Sequence, residues 1–146
     1  ANAPVAAMAN PSRKLYALLA TAQERALAEK ALALALSEEP GATNGAAMIA
    51  IVSQSHPELA FDFALANLKA VNERVDATSR SRYVPGLARS ATTPAMADKV
   101  KAYAEVHIAA GARRDADTAI VGIMDRIKVR RERLPEIDAW LARGGK

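Results

Sequence analysis

His56-Pro57-Glu58-Leu59-Ala60-Phe61-Asp62-Phe63-Ala64-Leu65-Ala66-Asn67-Leu68-Lys69-Ala70-Val71-Asn72 is the stretch that decides the fold. At about 100° per residue, Phe61, Ala64, Leu65, Leu68, Val71 and Val75 gather on one side of a helix. Leu59, Phe63, Ala66 and Ala70 gather on the other. A helix in a two-layer bundle needs one apolar stripe. Two stripes predict a helix sandwiched between neighbours, as in stacked helical hairpins.

The rest of the chain reads the same way. Hydrophobic residues make up 51% of its 146 residues and aromatics only 4%, so Ala, Leu, Ile and Val must do the packing. Alanine is the strongest helix former and lets helix axes approach closely. Strand-like alternation of β-branched residues is absent. The expected class is all-α, an irregular α-α superhelix of seven or eight helices in antiparallel hairpins (HEAT- or armadillo-like). A single domain spans 1–146, with 1–10 as a flexible lead-in and 144–146 as a tail.

Punctuation places the helices. Asn10-Pro11 predicts a helix start running to about Ala22, followed by helices over Gln23–Ser37 and from a Thr43 or Asn44 cap to Ser53. His56-Pro57 opens the fourth, ending near Val75. Thr93-Pro94 opens another to about Ile108, and Arg113–Arg133 is the longest, with Ile120, Ile123, Met124, Ile127 and Leu134 on one face. Pro135 starts a last short helix, Glu136–Ala142. Between these, Ser79–Tyr83 predicts a short helix that Val84-Pro85-Gly86 must interrupt, so the 79–87 segment is expected to project from the stack.

Most chemistries are disfavoured by what the chain carries. There is no cysteine, which excludes disulfides and thiolate metal sites and leaves the compartment open. His56 and His107 are the two histidines, with no His-Glu-x-x-His spacing, so no metal site is expected. A cap or surface role fits His56, and a helix-end role fits His107. No Gly-x-Ser-x-Gly elbow and no glycine-rich phosphate loop occurs. Asp115 and Asp117 diverge on a helix and sit in its first turns, which is a stabilising position. No catalytic residue and no cofactor is expected of this chain. No apolar run reaches the ~18–20 residues of a membrane span, and Ala1–Ala9 lacks the basic and apolar regions of a signal peptide. A start at Ala1 is expected of a processed product, a piece of a longer protein or an expressed segment.

The net charge of +4 permits an anionic partner without demanding one. Arg126, Lys128, Arg130, Arg131 and Arg133 form the main basic run. Without interleaved aromatics this reads as a solvated face, with Arg131 snorkelling, and nucleic acid is not the expected partner. Arg80, Arg82 and Tyr83 form a smaller cluster in an expected loop. Guanidinium groups there suit a peptide carboxylate, and a tyrosine adds an apolar wall. The alternative is that both arginines pair with acids on adjacent helices.

Three segments resemble a known family. Phe61-x-Phe63-x-x-x-Asn67-Leu68 is similar to an aromatic-x-aromatic…Asn-Trp helix, and Lys99-Val100-Lys101-Ala102-Tyr103-Ala104-Glu105-Val106-His107 to an x-Val-x-x-Phe-Phe helix. The third runs from Arg114 through Ile120 and Ile127 to Ile137-x-x-Trp140-Leu141. In order and spacing they resemble the C-terminal helical domain of the puromycin-sensitive and endoplasmic-reticulum aminopeptidases, zinc enzymes of the aminopeptidase N family. Leu68 stands where that family has Trp, and Val129 where an aromatic is common; both stay apolar. The resemblance implies a non-catalytic domain that closes the substrate chamber and influences peptide access. Its implied partners are the catalytic domain of the same parent chain and the parent's peptide substrate. The zinc belongs to that other domain. From a different class comes a stand-alone basic helical module that binds a protein or nucleic acid.

Overall fold

The computed structural model describes residues 6–145, with side-chain surroundings from Arg13 onward. Among the described residues the chain is all-helical: α1 (Ala6–Ala20), α2 (Arg25–Ala35), α3 (Gly41–Ser55), α4 (Pro57–Ala66), α5 (Leu68–Arg74), α6 (Arg80–Leu87), α7 (Pro94–His107), α8 (Arg114–Lys128) and α9 (Leu134–Ala142). None of these helices is long and apolar enough to cross a membrane. They form an irregular stack of hairpins. α3 is its hub, packed on α1, α2, α4, α5 and α6, while α8 packs between α6 and α7.

The fourth expected helix is one rod with a bend. Asn67 leaves the helical region (φ −122°, ψ 31°), and its side-chain amide donates to the Phe63 carbonyl at 2.9 Å. An asparagine side chain that competes for a backbone acceptor bends a helix where it sits. The two stripes are unequally covered. Phe61, Ala64 and Val71 are fully buried, whereas Leu59, Phe63 and Ala70 are half-buried and Ala66 is exposed. Leu65, assigned to the buried stripe, lies 36% exposed.

Alanine does the close packing that the composition calls for. Ala28, Ala35, Ala60, Ala64, Ala88 and Ala116 are fully buried between helices, around Leu32, Ile49, Phe61, Val100 and Ile123. Phe61 meets Tyr103 of α7 edge-on, with ring centroids 6.2 Å apart.

Several boundaries differ from the expectation. α1 begins at Ala6 and passes through Asn10-Pro11, so that pair does not mark its start; of the expected lead-in, residues 1–5 lie outside the described residues, as does residue 146 of the tail. α3 starts at Gly41 rather than after Thr43, because Gly41 takes φ +73° at no steric cost and turns the chain into the helix directly. Thr93 precedes α7 as expected, but its hydroxyl donates to Glu58 at 3.0 Å instead of capping. Beyond Lys128 the long helix widens into a π segment, Val129–Arg133, before α9. Pro135 explains the widening: its ring would clash with the carbonyl four residues back, and it has no N–H to offer.

The largest correction concerns α6. It continues through Pro85 and Gly86 to Leu87, and it is a central helix, not a projecting loop. One lost hydrogen bond and the proline clash cost about 3 kcal/mol. Burying Val84, Pro85 and Leu87, each nearly inaccessible, contributes roughly 1.5–3 kcal/mol per large side chain and outweighs it.

Candidate functional site

Helix α6 redistributes the three residues singled out from the sequence. Arg80 turns back to the end of α5, its Nε donating to the Asn72 carbonyl at 3.1 Å and the Val75 carbonyl at 3.2 Å. Tyr83 is largely buried and donates its hydroxyl to the Ala46 carbonyl of α3 at 2.6 Å. Burial pushes its phenol well above the ordinary tyrosine value. Arg82 donates to the Ser79 hydroxyl at 2.9 Å and keeps its guanidinium in the open. The alternative expectation fails too, since neither Arg80 nor Arg82 pairs with an acid among the described residues. Two of the three serve the scaffold. Of the three, Arg82 is the one whose free guanidinium faces the cleft between α6 and α8.

That cleft runs along the exposed side of α6. Arg82, Gly86 and Arg89 are spaced by four and three residues and so share one face. Across from them α8 contributes Asp115, Thr118, Ala119, Gly122 and Arg126, enclosing about 290 Å³. On the other side of the same three residues, Ala50, Ser53 and Gln54 of α3 bound a further 360 Å³. Gly86 keeps both lobes open: a Cβ placed there would meet no atom within 4 Å. Gly122 lies under the Arg126 guanidinium, which a Cβ at that position would touch at 3.4 Å.

Arg126 is the most constrained of the three cations. Its Nε donates to the Ala91 carbonyl at 2.9 Å, which fixes the guanidinium plane, while its NH2 is buried without a protein acceptor. The ion pairs among the described residues are Arg25–Glu29, Lys99–Asp62 and Arg131–Glu132. Arg82, Arg89 and Arg126 therefore face the cleft uncompensated except for Asp115, which lies beyond ion-pair distance of each.

Sequence reasoning missed Arg89, Arg126 and both glycines. The signal was there in the Arg82/Gly86/Arg89 spacing, hidden by reading Pro85-Gly86 as a break. In the sequence Arg126 reads as one of a basic run, but its side chain turns inward while Lys128, Arg130, Arg131 and Arg133 stay exposed. Arg131 does not snorkel; it meets its neighbour Glu132 at 3.3 Å in solvent.

The histidines have ordinary surroundings. His56 Nε2 contacts the Ala22 carbonyl at 3.0 Å, tying the α1–α2 turn to the α3–α4 junction. His107 lies against the Tyr103 ring at 4.9 Å. Among the described residues no group of three or more His, Asp or Glu is placed to hold a metal ion.

Besides scattered apolar side chains such as Val106, Val121 and Met124, groups of them remain uncovered at two places among the described residues. Leu15, Leu18, Leu19 and Leu27 of α1 and α2 are about half exposed or more, the last three lining a groove of about 320 Å³. Past Lys128 every described residue is exposed, including Leu134, Ile137, Trp140 and Leu141. Compared with protein-family models, with curated proteins and with solved structures, the chain finds no match.

Proposed function

We propose that this chain is the C-terminal α-superhelical domain of a zinc-dependent aminopeptidase of the aminopeptidase N family. It is non-catalytic: it walls the substrate chamber and governs peptide access, and the zinc and the catalytic groups reside in the catalytic domain of the parent chain. The resemblance of the Phe61–Leu68, Lys99–His107 and Arg114–Leu141 segments motivates the reading. The observation that carries it furthest is the uncovered leucine face of α1 and α2, with Leu18 at 68% exposure. An apolar patch of this kind marks a surface made for another protein surface.

The test is reconstitution. The catalytic domain encoded upstream in the parent gene, produced separately, should bind this chain, and the pair should hydrolyse amino-acid anilides while the chain alone does not. A Leu18→Glu, Leu27→Glu double variant should lose that association. Turnover by the isolated chain, or no association, rejects the reading. Tight, salt-resistant binding to a defined nucleic acid in place of association would favour the stand-alone basic module, whose support is the exposed run Lys128, Arg130, Arg131 and Arg133.

A further inference from the structure

We infer that α9 of a second copy of this chain lies in the leucine groove between α1 and α2, joining copies head to tail. Each chain leaves an apolar face uncovered at either end of its helical stack. Leu18, Leu19, Leu27 and Leu34 line the groove at the α1–α2 end. Leu134, Ile137, Trp140 and Leu141 are exposed on α9, which packs on the π segment leading into it. α1 and α2 pack on α3, whereas α8 packs on α6 and α7, so the two faces sit at different ends and do not meet within one chain. A helical stack needs polar end layers to stay single in water. Both ends of this one lack them, and the cover missing at each end is what the other end offers.

Length, shape and charge all fit. Leu27 and Leu34 of α2 are two turns apart, as are Leu134 and Leu141 of α9, roughly 11 Å in each case. Around α9 the apolar residues occupy about a third of the circumference, the width of stripe that seats in a groove. Glu136 flanks that stripe beside Trp140, and Asp138 flanks it beside Leu134. At the groove, Lys30 is among the lining residues and Lys14 stands one turn before Leu18. Both lysines are exposed, and neither has an ion pair among the described residues. Acids bordering the helix thus meet bases bordering the groove. α9 is also a finished element rather than a trailing end. Gly144 and Gly145 close it at positive φ, their N–H groups donating to the Leu141 and Trp140 carbonyls at 3.0 and 3.1 Å. This goes beyond the aminopeptidase reading: the groove takes α9 when no catalytic domain covers it, and the two occupants exclude each other.

Sedimentation velocity on the whole chain tests this. One short helix in a groove is a small interface, so a Kd of about 10–100 µM is expected, and the mean mass should rise through that range. Leu18→Glu with Leu27→Glu damages only the groove, and Ile137→Ser with Trp140→Ser damages only α9. All four side chains are exposed, so both variants should keep the melting temperature of the unmodified chain. Each variant alone should stay monomeric up to about ten times that Kd. Mixed, they should form a one-to-one pair, because one intact groove then meets one intact α9. Self-association of the groove variant alone would mean that α9 pairs with α9, and self-association of the α9 variant alone would mean groove against groove. Either overturns the inference. So does a chain that is monomeric at millimolar concentration, or a mixture that fails to pair. Docking of the catalytic domain is read separately, and the α9 variant should retain it. Its absence with head-to-tail pairing intact rejects the aminopeptidase reading alone.

Discussion

Tyr83 donates to the Ala46 carbonyl at 2.6 Å and thereby pins α6, which carries half of the arginine cleft, to the central helix α3. Tyr83→Phe keeps the ring and strands the acceptor. Its expected cost is about 1–2 kcal/mol, measured by urea unfolding near neutral pH. The phenol also makes stability pH-dependent. Burial raises its folded value, so between the ordinary value of about 10 and the folded one the native state holds a proton that the unfolded chain has released. Stability is intact below about pH 10 and falls as pH rises past it. Tyr103 is shifted in the same direction by burial, so Tyr83→Phe should reduce the alkaline slope without abolishing it. An unchanged slope would show that Tyr83 ionises freely in the native protein.

Phe61 and Phe63 should separate in a truncation experiment. Phe61 is inaccessible and edge-on to Tyr103, so Phe61→Ala should cost about 3–5 kcal/mol. Phe63 is half-buried, and Phe63→Ala should cost only about 1–2 kcal/mol. A double-mutant cycle between Phe61 and Tyr103 should return a coupling of roughly 0.5–1.5 kcal/mol. Equal losses for the two alanine variants would restore a helix covered equally on both faces.

The sequence disclosed the helical class through period and composition, and it located α7 and the start of α4 through Pro94 and Pro57. Proline is a dependable signal where it begins a helix, because only there is its missing N–H harmless. At Pro85 the same residue misled, since tertiary burial of Val84 and Leu87 overrode the local cost. That single misreading moved the candidate site. With this segment read as a loop, Arg82 groups with its neighbours Arg80 and Tyr83. With α6 as a helix, Arg82 belongs with Gly86 and Arg89. The inward turn of Arg126 depends on the Ala91 carbonyl, 35 positions away, which no local pattern reveals. Nor does it reveal the unequal cover of the two stripes on α4, which depends on where the neighbouring helices end.

Gly45 and Arg74 make one joint between α2, α3 and α5. Arg74 donates to the Leu36 and Ser37 carbonyls at the end of α2 and, at 3.0 Å, to Ala70 in its own helix. It thus places a cation on a helix C-terminus, where the dipole favours it. Gly45 admits that approach, because a Cβ there would overlap the Ala35 carbonyl oxygen and lie 3.3 Å from Arg74 Cδ. Gly45→Ala should therefore destabilise by at least about 2 kcal/mol, although alanine is intrinsically favoured in a helix by about 1 kcal/mol. Thermal unfolding checks the sign. A stabilised variant would mean that α2 and α3 can separate freely.

Removing everything after Lys128 should leave the folded body almost untouched, within about 0.5 kcal/mol, because every residue from 128 to 145 is exposed. A chain ending at Lys128 compared with the whole chain in chemical unfolding provides the measurement. A loss above about 2 kcal/mol would show that α9 docks on the body in solution.

The π segment, in which the Leu134 N–H reaches back to the Val129 carbonyl, amounts to one residue inserted into an otherwise regular rod. One residue is worth roughly a quarter of a revolution about the axis. In an unbroken α-helix Leu134, Ile137 and Leu141 would fall in phase with Ile120, Ile123 and Ile127 and extend the inward-facing side of α8. The insertion puts them out of phase and aims them elsewhere. Deleting a single residue between Val129 and Arg133 would close the π turn but leave the phase as it is, whereas Pro135→Ala, which lets the rod run straight at full length, should restore it. The direction in which the terminal tryptophan points is thus set by one proline, through the way the backbone absorbs a single residue.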